Sequence, residues 1–220
     1  MKRPELIIFD VDGLMINTEF LWKKAYEEVA KIYNAPEVID EFFINVVGLA
    51  NVEYQKAIDK YLYMYENRKE MVEKIREIGF KLIEEKTECM PGLHELLDYI
   101  EEEKIPKAIA TTTPKQHAQL RLKKADLIDR FSYIVYGDEI KNRKPDPECY
   151  LNVINHMNVK EENALVLEDS IYGVEAAYNA KIPCIMVPSL QMPTEKQKKE
   201  AFMIVESLYD VLEYLKSFKR

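Results

Sequence analysis

The sequence predicts an α/β protein: a doubly wound parallel sheet, interrupted early by an all-helical insert. Three observations predict it. From about residue 90 onward, short apolar runs alternate with helix-periodic stretches, the pattern of β-α-β units with helices on both faces of a sheet. Residues 17–86 break that alternation with strong helical stripes and weak strand signals. Each strand-like run also ends in polar residues, where open α/β sheets place their ligands.

The first element is "LIIF", Leu6–Phe9, a short buried strand closed by an Asp-Gly turn signal. Side chains alternate faces along a strand, so Asp10 and Asp12 leave the chain on the same side. Two carboxylates aimed together repel unless a cation sits between them or one keeps its proton. The bland alternative is a strand followed by an Asp-Gly turn, and D-x-D-G alone does not decide between the two.

The insert comes next. Trp22, Tyr26, Val29 and Tyr33 form one helical stripe, and Met71, Ile75, Ile78 and Leu82 another. Residues 56–86 read as nearly continuous helix. These stripes are expected to be the insert's own core rather than a cofactor box. Behind Met-Pro-Gly, Leu93, Leu96, Leu97 and Ile100 follow the i, i+3, i+4, i+7 spacing of an amphipathic helix. Strand-like runs then recur at 107–112, 133–137, 164–169 and 183–188. The expected division is therefore a sheet domain of residues 1–16 and 87–220, and a helical domain of residues 17–86.

The strand ends carry the candidate chemistry. Thr111, Thr112 and Thr113 precede Pro114; three hydroxyls with fresh backbone N–H groups at a helix start suit an anion, whereas a helix cap needs only one of them. Lys144 precedes Pro145, which favours an extended lysine in a stiffened loop. Glu168 and Asp169 close the run at 164–169, before a helix that Ser170 can cap. An acidic first turn is common for dipole reasons alone. Asp138 is a further acid near the site in sequence.

Composition removes other classes. The chain has 220 residues, 47% of them hydrophobic, enough for a sizeable core. A net charge of −8 opposes a sequence-independent grip on nucleic acid. No apolar stretch approaches the roughly 20 residues of a membrane span, and the four apolar residues before Asp10 are too short for a signal-peptide core. Cys89, Cys149 and Cys184 stand far apart and are expected to be free thiols in a reducing cytosol. His94, His117 and His156 lack zinc-ligand spacing. With only six glycines, neither G-x-G-x-x-G nor G-x-x-x-x-G-K-[ST] occurs, against nucleotide-binding readings.

D-x-D, then Thr, then Lys-Pro, then Glu-Asp, all at strand ends, is a specific order. On it the sequence resembles the haloacid dehalogenase superfamily of phosphohydrolases. "FDVDGLMINTE", "IATTT", "KPDPE" and "VLEDSIYGVEAA" stand as its four signature blocks, and the insert looks like its small helical cap on a Rossmann-like core. Within the superfamily the chain is similar to the β-phosphoglucomutase-like phosphatases. Asn17 stands where many members carry Asp, and Lys181 where many carry Gly.

The resemblance implies Asp10 as a carboxylate nucleophile giving an aspartyl-phosphate, with Asp12 as general acid and then base. It implies Thr111, Thr112 and Lys144 as phosphate-binding residues. It also implies Mg²⁺ held by Asp10, Asp169 and the backbone carbonyl of Asp12, with Glu168 helping directly or through water. The activity implied is phosphatase action on a small phosphorylated metabolite such as a sugar phosphate. The acting species is expected to be a cytoplasmic monomer with no nucleic-acid or membrane partner, its insert hinged as a lid near residues 15–18 and 84–90. A phosphomutase and a receiver-like phosphoacceptor remain alternatives; dehalogenation, which needs neither metal nor second aspartate, is disfavoured. Against the mutase, Gly48 is followed by Leu49, Ala50, Asn51 and Val52, with no arginine for a distal phosphate; Lys56 is the nearest cation, and Lys60 is a lysine elsewhere in the insert that could reach over.

Overall fold

A computed structural model describes residues 2–46 and 51–218. In chain order the elements are β1 (Leu6–Phe9), α1 (Thr18–Ile32), a π-helical stretch (Val38–Phe43), α2 (Ile44–Val46), α3 (Asn51–Tyr61) and α4 (Arg68–Glu85). Then follow α5 (Leu93–Glu102), β2 (Lys107–Ala110), α6 (Lys115–Lys124), β3 (Tyr133–Val135), α7 (Glu148–Met157) and β4 (Ala164–Glu168). The last are α8 (Ile171–Asn179), β5 (Cys184–Met186), α9 (Gln197–Glu200), β6 (Met203–Ile204) and α10 (Leu208–Lys216). The chain divides into two compact units, Met1–Asn17 with Glu88–Arg220, and Thr18–Thr87.

The first unit is built on a six-stranded parallel sheet of order β3-β2-β1-β4-β5-β6. The chain steps outward from β1 to β2 and β3, then returns to lay β4 on the other flank of β1. The strand order thus reverses at β1, and the crevice beyond the carboxyl ends of β1 and β4 is the switch point where such sheets bind ligands. Phe9 lies opposite Ile109 and Leu167, so Asp10 emerges level with the ends of β2 and β4.

Period-two alternation divides each central strand between two cores. Ile7, Phe9, Ile109, Leu165 and Leu167 pack with the leucine stripes of α5 and α10. Leu6, Ile8, Ala108, Ala110 and Val166 pack with Tyr150 and Val153 of α7 and Val174 of α8. A strand buried on both faces reads as a continuous apolar run, which is why "LIIF" and "ALVL" lack polar alternation. The expected doubly wound sheet is present, with one strand more than the apolar runs predict: β6 is only two residues long, too short to leave a pattern. The run at 107–112 ends as strand at Ala110, which leaves the threonines in the following loop. Lys181, where glycine would be at home, takes φ +60, a left-handed conformation with no steric cost only for glycine.

The second unit, taken by itself, is helical. One apolar cluster joins Tyr26, Val29, Phe42, Ile58, Leu62, Met71 and Ile75; a smaller one joins Leu21, Ala25, Leu82 and Ile83. Trp22 lies on Gly79, where an added Cβ would stand 2.1 Å from its ring. The expectation of continuous helix over 56–86 is corrected: the chain turns between α3 and α4. Ile58 and Leu62 on one side of the turn share a core with Met71 and Ile75 on the other, a burial that one straight helix cannot achieve. Tyr65 holds the turn, its hydroxyl donating to Glu37 Oε2 at 2.6 Å and its carbonyl accepting from the Arg68 backbone N–H at 3.2 Å. Gly48, Leu49 and Ala50, the stretch weighed for a phosphate-binding arginine, lie outside the described residues.

Candidate active site

A tight loop after β1 aims the two aspartates. Gly13 sits at φ +91, a conformation costly to any side chain, and donates its N–H to Ile16 O at 2.9 Å. Met15 and Ile16 both return N–H bonds to Val11 O at 3.0 Å. Val11, Leu14, Met15 and Ile16 are all buried in the core, so Asp10 and Asp12 stand on immobilised backbone.

Asp10 is buried and its Oδ1 accepts from Lys144 Nζ at 2.6 Å. The same ammonium donates to Glu168 Oε1 at 2.7 Å and to Ala110 O at 3.2 Å, and lies 4.8 Å over the Tyr150 ring. Tyr150 Oη donates to Glu168 Oε1, while Glu168 Oε2 accepts from Ser170 N–H and Oγ at 2.7 and 2.9 Å. Gly173 makes room for this carboxylate: a Cβ there would fall 1.7 Å from Oε1. Ser170 also caps α8, accepting from Gly173 N–H.

The charges do not balance around Asp10. Burial raises its carboxyl to about 7; Lys144 pulls it down, and Glu168 and Asp12 push it up. For Lys144, burial favours the neutral amine, yet Asp10 and Glu168 together outweigh it and hold the ammonium well above its ordinary range. One ammonium thus serves two buried carboxylates.

Asp12 is held differently. Its Oδ2 accepts from Thr113 Oγ1 at 2.6 Å, and its Oδ1 pairs with Arg121, a buried guanidinium on α6. Thr111 is buried, and its hydroxyl accepts from Thr113 N–H at 3.1 Å while keeping a proton to donate. Thr112 is half-buried, and its carbonyl lies where a Cβ on Gly137 would fall, 2.0 Å away. Asp138 accepts from Lys115 N–H at the start of α6, a helix-capping contact.

Asp169, buried beside Glu168, completes the acidic strand ends. Among the described residues, no three His, Cys, Asp or Glu side chains form a group arranged to hold a metal. Glu168 explains part of that: both its oxygens are engaged, by Lys144, Tyr150 and Ser170. Asp10 and Asp169 offer hard carboxylate oxygens just past the ends of adjoining parallel strands, the donor chemistry of Mg²⁺. Asp10, Asp12 and Glu168 face two cations, Lys144 and Arg121, an excess of negative charge that a divalent cation would offset.

Arg121 is absent from the residues singled out by sequence, and Thr113, read there as one of three anion-binding hydroxyls, donates to Asp12. Arg121 stands in "QLRLKK", one cation among several, yet it shares the buried face of α6 with Ala118 and Leu122. A cation on an apolar stripe is the signal that could have found it.

Known proteins resemble this chain in sequence and in fold. A phosphorylated carbohydrates phosphatase of Thermotoga maritima is 35% identical over 178 residues, 81% of this chain and 82% of its own length. Hexitol phosphatase B of Escherichia coli is 26% identical, over 94% of this chain and 93% of its own. A solved Thermotoga maritima structure, provisionally described as a beta-phosphoglucomutase, superposes with a TM-score of 0.79 at 30% identity, covering 100% of both chains. With residues 7–187 matched by its family profile, the chain belongs to the haloacid dehalogenase-like hydrolases.

Proposed function

We propose that the chain is a Mg²⁺-dependent phosphatase of small phosphorylated metabolites, sugar phosphates foremost, working through an aspartyl-phosphate on Asp10. The observation that carries this reading is the split between two aspartates two residues apart: Asp10 buried against Lys144, Asp12 held by Thr113 and Arg121. The two aspartates have separate partners, Lys144 favouring the ionised form a nucleophile needs and Thr113 with Arg121 fixing Asp12 two residues away, so one can attack while the other moves a proton. The activities for which the two phosphatase relatives are named support the substrate class.

In this mechanism Asp10 attacks phosphorus and Asp12 gives a proton to the departing alkoxide. Water then attacks the phosphoenzyme, Asp12 takes its proton, and Asp10 leaves as carboxylate. Lys144 offsets the charge that Asp10 shares with the phosphoryl group. The Thr111 hydroxyl and the backbone N–H groups opening α6 would bind the phosphoryl oxygens, with Thr112 beside them. Asp10, Asp169 and the Asp12 carbonyl would hold Mg²⁺, with Glu168 acting through Lys144; the bound ion neutralises phosphoryl charge, worth several kcal/mol. Thr18–Thr87 would serve as the cap that selects the substrate, and the free thiols of Cys89, Cys149 and Cys184 fit a monomer of the reducing cytosol.

Phosphate release from a panel of sugar and polyol phosphates, with Mg²⁺ and with EDTA, tests the proposal. Metal-dependent release from at least one is expected; no release from any would overturn it. β-Glucose 1-phosphate separates the mutase reading: conversion to glucose 6-phosphate with little free phosphate would establish the mutase instead.

A further inference from the structure

We propose that Arg121 is a positioning residue of the hydrolytic half-reaction, holding Asp12 in place to take the proton of the attacking water. The inference rests on the phosphatase reading above and adds to it a residue on α6. The step it serves is balanced as follows: the water O–P bond forms, the Asp10 O–P bond breaks, and one water proton passes to Asp12.

Three observations converge on Arg121. It is buried, although burying a guanidinium is costly unless the charge is paired, and a leucine would fill the same stripe between Ala118 and Leu122. The other cations of α6, Lys115, Lys123 and Lys124, are exposed. Its partner is Asp12 Oδ1, while Thr113 Oγ1 holds Oδ2 of the same carboxylate at 2.6 Å. A carboxylate gripped at both oxygens, from the helix and from the loop before it, has its side-chain torsions fixed. Lys144, by contrast, is directed to Asp10 and Glu168, so the nucleophile and the proton acceptor each have their own cation. Arg121, Thr113, Asp10 and Asp12 also belong to one compact unit, so the hold is internal to it.

The test is kinetic. Misplacing a reacting group by about 1 Å can cost on the order of 10²-fold, and Arg121 acts through Asp12 rather than on the substrate. Arg121→Met should lower kcat about 10- to 100-fold and KM with it, since slowing the second of two steps lowers both and leaves kcat/KM within about twofold, and Arg121→Lys should recover much of the loss. Added to Asp12→Asn, Arg121→Met should cost nothing further, because residues acting as a unit are non-additive. A wild-type kcat in Arg121→Met, or a loss that multiplies with Asp12→Asn, would overturn the inference. Should the Arg121 variants not fold, Thr113→Val releases the other oxygen with the ion pair intact; unchanged kcat there would overturn it equally. A wild-type chain inactive on every phosphomonoester fails the proposed function instead, so the two failures are distinguishable.

Discussion

The two ends of the sheet use the same residue types to opposite effect. At the start of β2, Lys107 Nζ donates to Glu101 Oε1 at 2.8 Å, and Arg130 donates to both Glu101 oxygens at 2.9 and 3.0 Å and to Asp98 at 2.5 Å. Two cations meet two carboxylates. The Arg130 hydrogen bonds above all, with Lys107 behind them, push Glu101 down to about 2. At the carboxyl ends of β1 and β4, Lys144 is divided between Asp10 and Glu168, and burial pushes Asp10 up to about 7. A balanced cluster is finished in the folded chain, whereas an unbalanced one has room for further charges. The imbalance singles out this end of the sheet as the candidate functional site.

The sharpest way to break this contrast is Asp10→Asn. The variant should lose phosphate release by about 10⁴-fold or more, since it removes the nucleophile itself. Its stability should move the other way. Asp10 titrates at about 7 in the folded chain against an ordinary 3.8, so the folded state binds that proton more tightly. The group therefore subtracts stability progressively as pH rises from about 4 to about 7. Asparagine cannot ionise, so the metal-free variant should melt at or above the wild-type temperature at pH 8. Near-normal turnover, or a marked drop in melting temperature at pH 8, would refute the frustrated-site view.

Metal dependence comes next in size. EDTA should abolish phosphate release and Mg²⁺ restore it. Asp169→Ala should raise the Mg²⁺ needed for half-activity by about 10- to 100-fold, at least what outer-shell partners of metal sites are worth. Glu101→Gln, at the balanced end, should leave that requirement unchanged. Equal responses of the two variants would erase the distinction between the ends.

Much of this contrast is legible in the sequence, because strand ends are. Five of the six strands follow from apolar runs closed by turn residues, and Asp10, Asp12, Thr111, Lys144, Glu168 and Asp169 lie within four residues of a run or in the loop after one. What is not legible depends on distant partners. Arg121 meets Asp12 across 109 positions, and nothing local separates it from the neighbouring lysines except the buried face of its helix. The role of Glu168 is hidden for a similar reason. Its position at a strand end reads as helping a metal directly or through water, and says nothing of Tyr150, Ser170 and Lys144, which donate to its oxygens, or of Gly173, which makes the space for it. The turn between α3 and α4 escapes because no glycine or proline marks it; burial of Leu62 and Met71 in one apolar cluster favours it.

The smallest effect belongs to the balanced end, and its pH dependence has the opposite sign to that of Asp10. Glu101 is held at about 2 against an ordinary 4.5, so its ionised form is the one the fold favours. Its contribution is fully present above about 4.5 and is lost as pH falls from there toward 2. The side chain is 43% exposed, and an ion pair so open to solvent is worth about 0.5–1 kcal/mol. Glu101→Gln should therefore lower stability by about that amount from pH 8 to pH 5, and by progressively less below pH 4.5. Subtracting the variant's urea denaturation from that of the wild type removes the titration of Asp10 and the other carboxylates, since both chains share it. Turnover at neutral pH should be unchanged, because Glu101 lies at the far end of the strands from Asp10. A gap that widened in acid would mean Glu101 was held protonated, and the two ends of the sheet would then be electrostatically alike.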